Sequence, residues 1–194
     1  MAWALDGKTL FYARQDPETL RSFRIYKHVL GTDPATDALV YEEADDTFSV
    51  YVWRTKSERY LVIGSFQSVS TELRVLDAST PDGPLRLIQP RERDHEYTVD
   101  HLGDSFLIRT NLGAKNFRLM RAPVDRPGKE HWVEVIPHRD DTLLEAFELF
   151  TDWLVLAERR DGLVRLRVRR HDGTEDHVVD FEDAAWLASI DTNP

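Results

Sequence analysis

The sequence predicts an all-β chain built from four copies of a small antiparallel sheet, and three observations lead to this prediction. A turn followed by an apolar strand recurs four times along the 194 residues. Each recurrence is followed by two further segments in which apolar and polar residues alternate, as they do in half-buried strands. No stretch longer than about ten residues keeps the period of an amphipathic helix.

The recurring apolar strand begins after a turn in every unit. The four segments are DGKTLFYAR (6–14), SERYLVIGS (57–65), GDSFLIRTN (103–111) and TDWLVLAER (151–159). Equivalent positions are held by Leu10, Tyr60, Phe106 and Trp153, at intervals of 50, 46 and 47 residues. We expect the residue after each of these to pack between neighbouring sheets. Those residues are Phe11, Leu61, Leu107 and Leu154.

A second strand follows in each unit, with basic residues alternating with apolar ones. The segments are FRIYKHVL (23–30), TELRVLDA (71–78), NFRLMRAP (116–123) and LVRLRVRR (163–170). In the last segment, Arg165, Arg167 and Arg169 share one face. We interpret this row as the solvent side of an outer strand, with a nucleic-acid patch as the alternative. Phe23 and Phe117 occupy equivalent positions and are expected to pack between sheets.

Two more strands complete each unit. A third closes it after a connection rich in Gly, Pro and Asp, residues that suit chain reversals. The closing segments are DALVYEE (37–43), PLRLIQPR (84–91), HWVEVIPH (131–138) and DHVVDFED (176–183). A further strand precedes each unit, in AWAL (2–5), FSVYVWR (48–54), YTVDHL (97–102) and EAFELF (145–150). The pattern begins a fifth time with AAWLASI (184–190).

Four-stranded units at this spacing are typical of a β-propeller, in which stacked blades bury each other's faces. We therefore predict one incomplete propeller domain over 1–194. Its blades cover approximately 2–46, 47–95, 96–141 and 142–183, and the first strand of the next blade covers 184–190. Because that last strand has no partner after it, we expect the sequence to be a piece of a longer chain.

Composition narrows the classes of function. The formal net charge is −10, which disfavours binding to nucleic acid and favours cationic partners such as basic peptides. The absence of cysteine excludes disulfides, thiolate metal sites and a cysteine nucleophile. No apolar run approaches the ~20 residues of a transmembrane helix, so no membrane association is expected. The N-terminus has no signal-peptide pattern, so the expected location is cytoplasmic, with the periplasm left open.

Acidic residues recur where one unit passes into the next. The pairs Asp45-Asp46 and Asp140-Asp141 are the clearest, and Asp94 with Glu96 and Glu182-Asp183 occupy equivalent junctions. The repeat places all four junctions on one rim of the propeller. One interpretation is an electrostatic rim that guides basic peptides or contacts another domain. The other is ordinary capping of loop amides by carboxylates.

Catalytic and cofactor signals are weak. None of the seven histidines forms the HExxH pattern of a zinc site, so no metal or cofactor is expected. The segment GSFQS (64–68) lacks the serine position of a G-x-S-x-G nucleophile elbow. We therefore interpret Ser65 as a loop hydroxyl and predict no catalytic residue in this chain.

Several phrases of the sequence resemble a known family. They include DGKTLFYARQDPETLRSFRIYKHVLGTDPATDALVYEE, DDTFSVYV, EYTVDHLGDSFLIRTN, AKNFRLMRAPVDRPGKE and IPHRDDTLLEAFELF. Together they resemble the propeller portion of the oligopeptidase B (protease II) group, within the prolyl oligopeptidase family of serine peptidases. The resemblance extends over nearly the whole chain.

The resemblance implies a seven-bladed propeller that caps an α/β-hydrolase domain. That domain would carry a Ser-Asp-His triad and cleave short peptides after Arg or Lys. This chain would supply about four of the seven blades, filter substrates by size and lack activity alone. The alternative is an independent propeller module that binds protein partners, since fold alone does not separate the two. In isolation the chain is expected to self-associate through its end blades.

Overall fold

The computed structural model describes residues 1–183 and 185–190, and these form four four-stranded antiparallel sheets. The first sheet contains β1 (Ala2–Trp3), β2 (Thr9–Gln15), β3 (Ser22–Val29) and β4 (Ala38–Glu42). The second contains β5 (Ser49–Arg54), β6 (Tyr60–Gln67), β7 (Ser70–Asp77) and β8 (Arg86–Gln89). The third contains β9 (Tyr97–Leu102), β10 (Ser105–Thr110), β11 (Arg118–Pro123) and β12 (Val133–Ile136). The fourth contains β13 (Leu143–Leu149), β14 (Trp153–Arg160), β15 (Leu163–Arg170) and β16 (Asp176–Val178).

Each sheet is a meander in which every strand pairs with its neighbours in sequence. Short connections such as Asp161-Gly162 reverse the chain between strands, and both of these residues adopt positive φ angles, 52° and 82°. Single 3₁₀ turns at Pro34–Thr36 and Lys129–His131 lie in two of the longer connections. The all-β prediction is confirmed by this architecture.

Three apolar clusters lie between successive sheets. Phe11 and Leu61 belong to the cluster between the first and second sheets, and both are fully buried. Leu107 and Leu154 belong to the cluster between the third and fourth sheets. The middle cluster joins the second sheet to the third through residues such as Tyr60. Sheets stacked face to face in sequence order are blades, so the predicted partial β-propeller is confirmed, with a ring that the four blades do not close.

The inner strands of the blades border a central space. β5 is the first strand of the second sheet, and both faces of that sheet are covered by neighbouring sheets. Tyr51 nevertheless is 53% exposed in the middle of β5. Thr98 is likewise exposed in β9 of the third sheet, which is covered on both faces as well. The exposed sides of these residues therefore face the space around which the blades stand.

Some strands are shorter than the alternation predicted. The closing segment 176–183 forms a strand only over Asp176–Val178, and the opening segment 2–5 only over Ala2–Trp3. Residues 185–190 of the expected fifth unit form no strand, and Ala184 lies outside the described residues. A strand forms only where a neighbouring strand supplies partners for its backbone hydrogen bonds. The predicted blade boundaries, and with them the division of the chain into domains, stay a prediction.

The arginine row of β15 differs from the expected solvent face. The register pairs Arg167 with Leu156 and Arg169 with Leu154, so these arginines share the face that packs toward the third sheet. Arg167 is also paired with Asp176 at 2.6 Å, and its side chain is 23% exposed. β15 lies inside β16 rather than at the sheet edge, which explains why its basic residues meet acidic partners.

No helix among residues 1–183 and 185–190 has both the length and the apolar character needed to cross a membrane.

Candidate functional site

The predicted acidic residues lie in loops that follow the fourth strand of a sheet. Asp45 and Asp46 lie between β4 and β5, and Asp140 and Asp141 lie between β12 and β13. Because strand direction alternates within each sheet, these loops emerge on the same side of the molecule. The structure thus brings the two pairs to one rim, while the electrostatic role proposed for them stays a prediction.

The four rim carboxylates do different things locally. Asp45 Oδ1 accepts hydrogen bonds from the Thr47 amide and hydroxyl, at 3.0 and 2.7 Å, and this bonding lowers the pKa of Asp45. Asp141 accepts from the Thr142 hydroxyl at 2.9 Å, which lowers its pKa, and also lies 3.1 Å from Arg160. Asp46 is exposed, and the Asp140 side chain is fully exposed. Two of the four therefore cap loops and two face solvent.

Ser65 is a buried strand residue rather than the loop hydroxyl that the sequence suggested. It lies within β6 and has no exposed surface. Its Oγ is 3.1 Å from the Tyr41 hydroxyl of the first sheet. The side chain therefore satisfies a contact between blades and has no access to substrate.

A carboxylate–arginine network, formed by Glu43, Glu72, Arg74 and Arg91, lies between the first and second sheets. Arg91 donates to Glu43 Oε2 at 2.6 Å and to Glu72 Oε1 at 3.1 Å. Arg74 donates to the same Glu72 oxygen at 2.6 Å. Both carboxylates are more than nine-tenths buried. The network thus compensates charge inside an interface that is otherwise apolar.

The protonation of this network follows from its contacts. Burial opposes the charge of Glu43, but hydrogen bonds led by that from Arg91 outweigh it and lower the pKa of Glu43 to about 2. The pKa of Glu72 is also lowered, against the effect of burial, by Arg91 and Arg74. Both carboxylates are therefore ionised at neutral pH.

A second polar group crosses three blades along the inner strands. Lys56, in the loop after β5, donates its backbone N–H to Asp100 Oδ1 of β9 at 2.8 Å. The Lys56 Nζ reaches Glu148 of β13 at 2.7 Å and lies 4.8 Å from the Phe150 ring centroid. Burial raises the pKa of Asp100. This cross-blade cluster, Lys56, Asp100 and Glu148, adjoins a cavity of about 330 Å³.

The described histidines form isolated contacts. His28 Nδ1 lies 2.7 Å from Asp37, and His101 Nδ1 lies 2.7 Å from Ser57. His95 is buried against the Tyr97 and Trp132 rings, and burial lowers its pKa. Within residues 1–183 and 185–190, no group of three or more His, Asp or Glu side chains has the geometry of a metal site.

Sequence reasoning missed both polar clusters. Glu72 lies within the largely buried strand β7, and a carboxylate at such a position is a signal that a cation lies nearby, whereas Glu43 lies in the acidic run after β4 and gives no such signal. No sequence signal identifies the cation, because Arg91 is 48 positions from Glu43 and Lys56 is 92 positions from Glu148. Only the stacking of blades makes these residues neighbours.

Comparison with known proteins places the chain in a family. A family model described as the N-terminal β-propeller domain of prolyl oligopeptidase matches residues 1–193. The dipeptidyl aminopeptidase BI of Pseudoxanthomonas mexicana is 44% identical over 195 residues, covering 100% of this chain and 27% of that protein. Protease 2 of Moraxella lacunata is 34% identical over 190 residues, covering 98% of this chain and 27% of that protein.

Solved structures agree with the sequence comparison. Oligopeptidase B of Leishmania major superposes with a TM-score of 0.85 at 31% identity, covering 94% of this chain and 27% of that one. The closed form of oligopeptidase B of Trypanosoma brucei, with covalently bound antipain, gives a TM-score of 0.86 at 26% identity, covering 94% of this chain and 27% of that one. This chain thus spans about a quarter of the length of the relatives it matches.

Proposed function

Since the chain belongs to the prolyl oligopeptidase family, as part of its N-terminal β-propeller, we propose that it is the substrate-filtering portion of an oligopeptidase B-like serine peptidase. The family consists of peptidases whose hydrolase domain lies in the same chain as the propeller. Residues 1–193 match only the propeller, so bond cleavage belongs to another part of the parent chain. The 194 residues alone are proposed to be inactive.

The observation that carries this proposal is the central space bordered by the inner strands. Tyr51 and Thr98 reach that space from two successive blades. Lys56 links the inner ends of three blades to one another. In a closed ring of blades these inner strands would line a narrow passage, which admits a flexible peptide and rejects a folded protein. Opening of such a passage is a gating motion of the kind that controls access to many active sites.

We propose that the substrates are short peptides cleaved after Arg or Lys. The support is the resemblance to oligopeptidase B together with the net charge of −10, which attracts cationic peptides over long range. A second candidate activity is removal of N-terminal dipeptides, favoured by the 44% identity to a protein named dipeptidyl aminopeptidase BI. Mass spectrometry of the products separates the two, because internal cleavage and dipeptide release yield different fragments. We also propose that the protein is located in the cytoplasm, with the periplasm as the alternative.

The experiment measures kcat/KM of the full-length parent protein on peptides of increasing length that share one Arg–X bond. We expect a value that is steady for short peptides and falls by roughly tenfold or more beyond a limiting length, a loss equivalent to ~1.4 kcal/mol. Folded proteins with the same exposed bond should not be cut. Equal rates on short peptides and folded proteins would refute filtering.

A matched pair of variants links the limit to the central space. Tyr51→Ala removes an exposed ring from an inner strand, whereas Leu39→Ala removes a comparably exposed side chain from the outer strand β4. We expect the first to raise the rate on long peptides relative to short ones and the second to leave the ratio unchanged. A parent protein that ends after the propeller would instead favour the independent interaction module.

A further inference from the structure

Arg109 occupies a position that is apolar in the other three blades. It lies two residues after Leu107 in β10, and the equivalent residues in the other second strands are Ala13, Ile63 and Leu156. Ile63 and Leu156 are completely buried, and Ala13 packs against the cluster between the first two sheets. A residue that breaks the pattern of a repeat without an evident gain in packing suggests a function.

The guanidinium of Arg109 is held in a defined orientation. Its Nε donates to the Leu144 carbonyl oxygen at 2.6 Å, and its central carbon lies 3.6 Å from the centroid of the Phe117 ring. A cation stacked on an aromatic face is stabilised by the ring quadrupole. Burial lowers the pKa of Arg109 to about 10, and the negative charges of Glu96 and Glu145 offset this only in part. The group remains a cation at neutral pH.

The backbone is irregular at both of these contacts. Phe117 adopts a φ of 61°, in the left-handed region that bulky side chains rarely occupy. The register of β13 against β14 shifts between Leu144 and Ala146, which is a bulge next to the carbonyl that Arg109 contacts. Asn116 fastens this region by donating to the Arg139 and Asp140 carbonyls, at 3.0 and 2.8 Å. Strained residues and bulges concentrate at functional sites, where they aim side chains.

Arg109 forms no ion pair with any residue in 1–183 or 185–190. Its two acidic neighbours have other partners, since Glu145 is paired with Arg159 at 2.5 Å and Glu96 contacts the Asn111 amide at 3.4 Å. Most other arginines between the sheets are paired with a carboxylate, as Arg91 is with Glu43. The two terminal nitrogens of Arg109 therefore have no acidic partner among the described residues. Their planar arrangement suits two parallel hydrogen bonds to a carboxylate.

Arg109 lies next to the inner strand of its blade. Arg109 is directly opposite Thr98 in the register of β10 and β9. Thr98 is exposed on the inner strand of a sheet whose faces are both covered. A peptide in the central space would pass along β9, the strand that pairs with the one carrying Arg109.

We propose that Arg109 binds the free C-terminal carboxylate of a short peptide held in the central space. This inference rests on the proposed function, because it requires peptides to enter that space. Every unmodified short peptide carries this group, whereas peptides rich in acidic side chains are repelled by the net charge of −10. Binding at Arg109 would place the C-terminal end of the peptide at the junction of the third and fourth blades.

The test is calorimetric titration of the full-length parent protein with a short peptide lacking Arg and Lys, as its free acid and as its C-terminal amide. We expect the acid to bind roughly tenfold more tightly, as one charge-assisted contact would give. Arg109→Gln should abolish this difference. Arg121→Gln, an equal change of charge at an exposed position of the same sheet, should preserve it. Arg109→Lys should keep part of the preference, because it retains the charge and loses the fork.

Equal affinity of acid and amide for the unaltered protein overturns the proposal. A preference for the acid that survives Arg109→Gln also overturns the proposal. If that variant keeps the preference and changes only the thermal unfolding, Arg109 instead contacts another part of the parent chain. If Arg109→Gln does not fold, the acid and amide affinities of the unaltered protein and of Arg109→Lys are compared instead. An undiminished preference in Arg109→Lys would then contradict the proposal. The dependence of cleavage on peptide length is measured in a separate experiment. A protein without a length limit would refute filtering, and the measured preference for the acid would be unaffected.

Discussion

Glu43 and Arg91 bring opposite charges into the space between the first two blades. The Glu43 side chain is 4% exposed, and a charge buried to that extent is tolerated only when it is paired. Arg91 supplies the pair and also lies 4.0 Å from the centroid of the Phe48 ring, which fixes its position. Arg91 also donates to Glu72 at 3.1 Å, so one guanidinium compensates two buried carboxylates in this interface.

Removal of the Glu43 charge should destabilise the propeller. We expect Glu43→Gln to lower the free energy of unfolding of the parent protein at pH 7 by about 2 kcal/mol, because Arg91 loses a buried partner. Glu42→Gln is the matched control, since Glu42 forms an exposed pair with Arg24, and such pairs contribute about 0–1 kcal/mol. Chemical denaturation of both variants measures the difference. Equal losses in the two variants would contradict the role assigned to Glu43.

The same residue predicts a dependence on acid. The pKa of Glu43 is about 2 in the folded chain and 4.5 when unperturbed. A folded pKa below the unfolded one means that the unfolded state binds more protons, so stability is lost as pH falls. The stability gap between the unaltered protein and Glu43→Gln should therefore be full above about pH 4.5 and shrink toward pH 2. A gap that stays constant from pH 7 to pH 3 would show that ionisation of Glu43 does not matter.

Strands of this chain are stabilised mainly by the side chains that meet a neighbouring sheet. Four equivalent positions of the second strands supply them, and the residues are Phe11, Leu61, Leu107 and Leu154. Gly64 shows how close the packing is, because a Cβ at that position would lie 2.4 Å from the Phe66 ring and 2.8 Å from Leu73. An element with this density of contacts tolerates little change in volume.

Truncation at one of these positions should be costly. Leu61 has no exposed surface, so Leu61→Ala should destabilise the propeller by ~2–5 kcal/mol through lost burial and the cavity left behind. Leu87→Ala removes the same atoms from β8 of the same sheet, where the side chain is 38% exposed. We expect the control to lose much less stability in thermal or chemical unfolding. Similar losses would mean that Leu61 does not pack between blades.

The four blades together have two end faces that no described blade covers. On the fourth sheet, the face opposite Leu154 and Leu156 carries Val155 and Val168, which are paired across β14 and β15 and partly exposed. Uncovered apolar sheet surface promotes association. The shape of a stacked repeat thus concentrates exposed apolar surface at its ends.

We predict that the isolated 194-residue chain associates in solution through these faces. Light scattering over a range of concentrations should give a mass above 22.5 kDa that rises with concentration. Val168→Lys places a charge on the end face and should reduce association. Val133→Lys changes a more exposed residue of the third sheet and should not. A constant monomer mass at high concentration would contradict this prediction.

Much of the architecture was predictable because strand alternation is a local property. The interval between Leu10 and Tyr60 already indicates the repeat, and the turn residues at Asp172-Gly173 mark a reversal of the chain. Strand lengths were less predictable, as β16 shows, because a strand extends only as far as its partner pairs with it. The acidic rim residues lie in loops between sheets, and their sequence alone did not separate Asp45, which caps a loop, from Asp140, whose side chain is fully exposed.

The amino-acid pattern alone establishes four small antiparallel sheets and the likeness to a peptidase propeller, because both depend on residues close together in the chain. The contacts of Arg91 with Glu43, of Lys56 with Glu148 and of Arg109 with Leu144 depend on how the sheets stack. Those partners are 48, 92 and 35 positions apart, and a linear pattern carries no information about which distant residues will meet. Burial of charge follows from the same stacking, so the roles of these three cations became visible only in the folded chain.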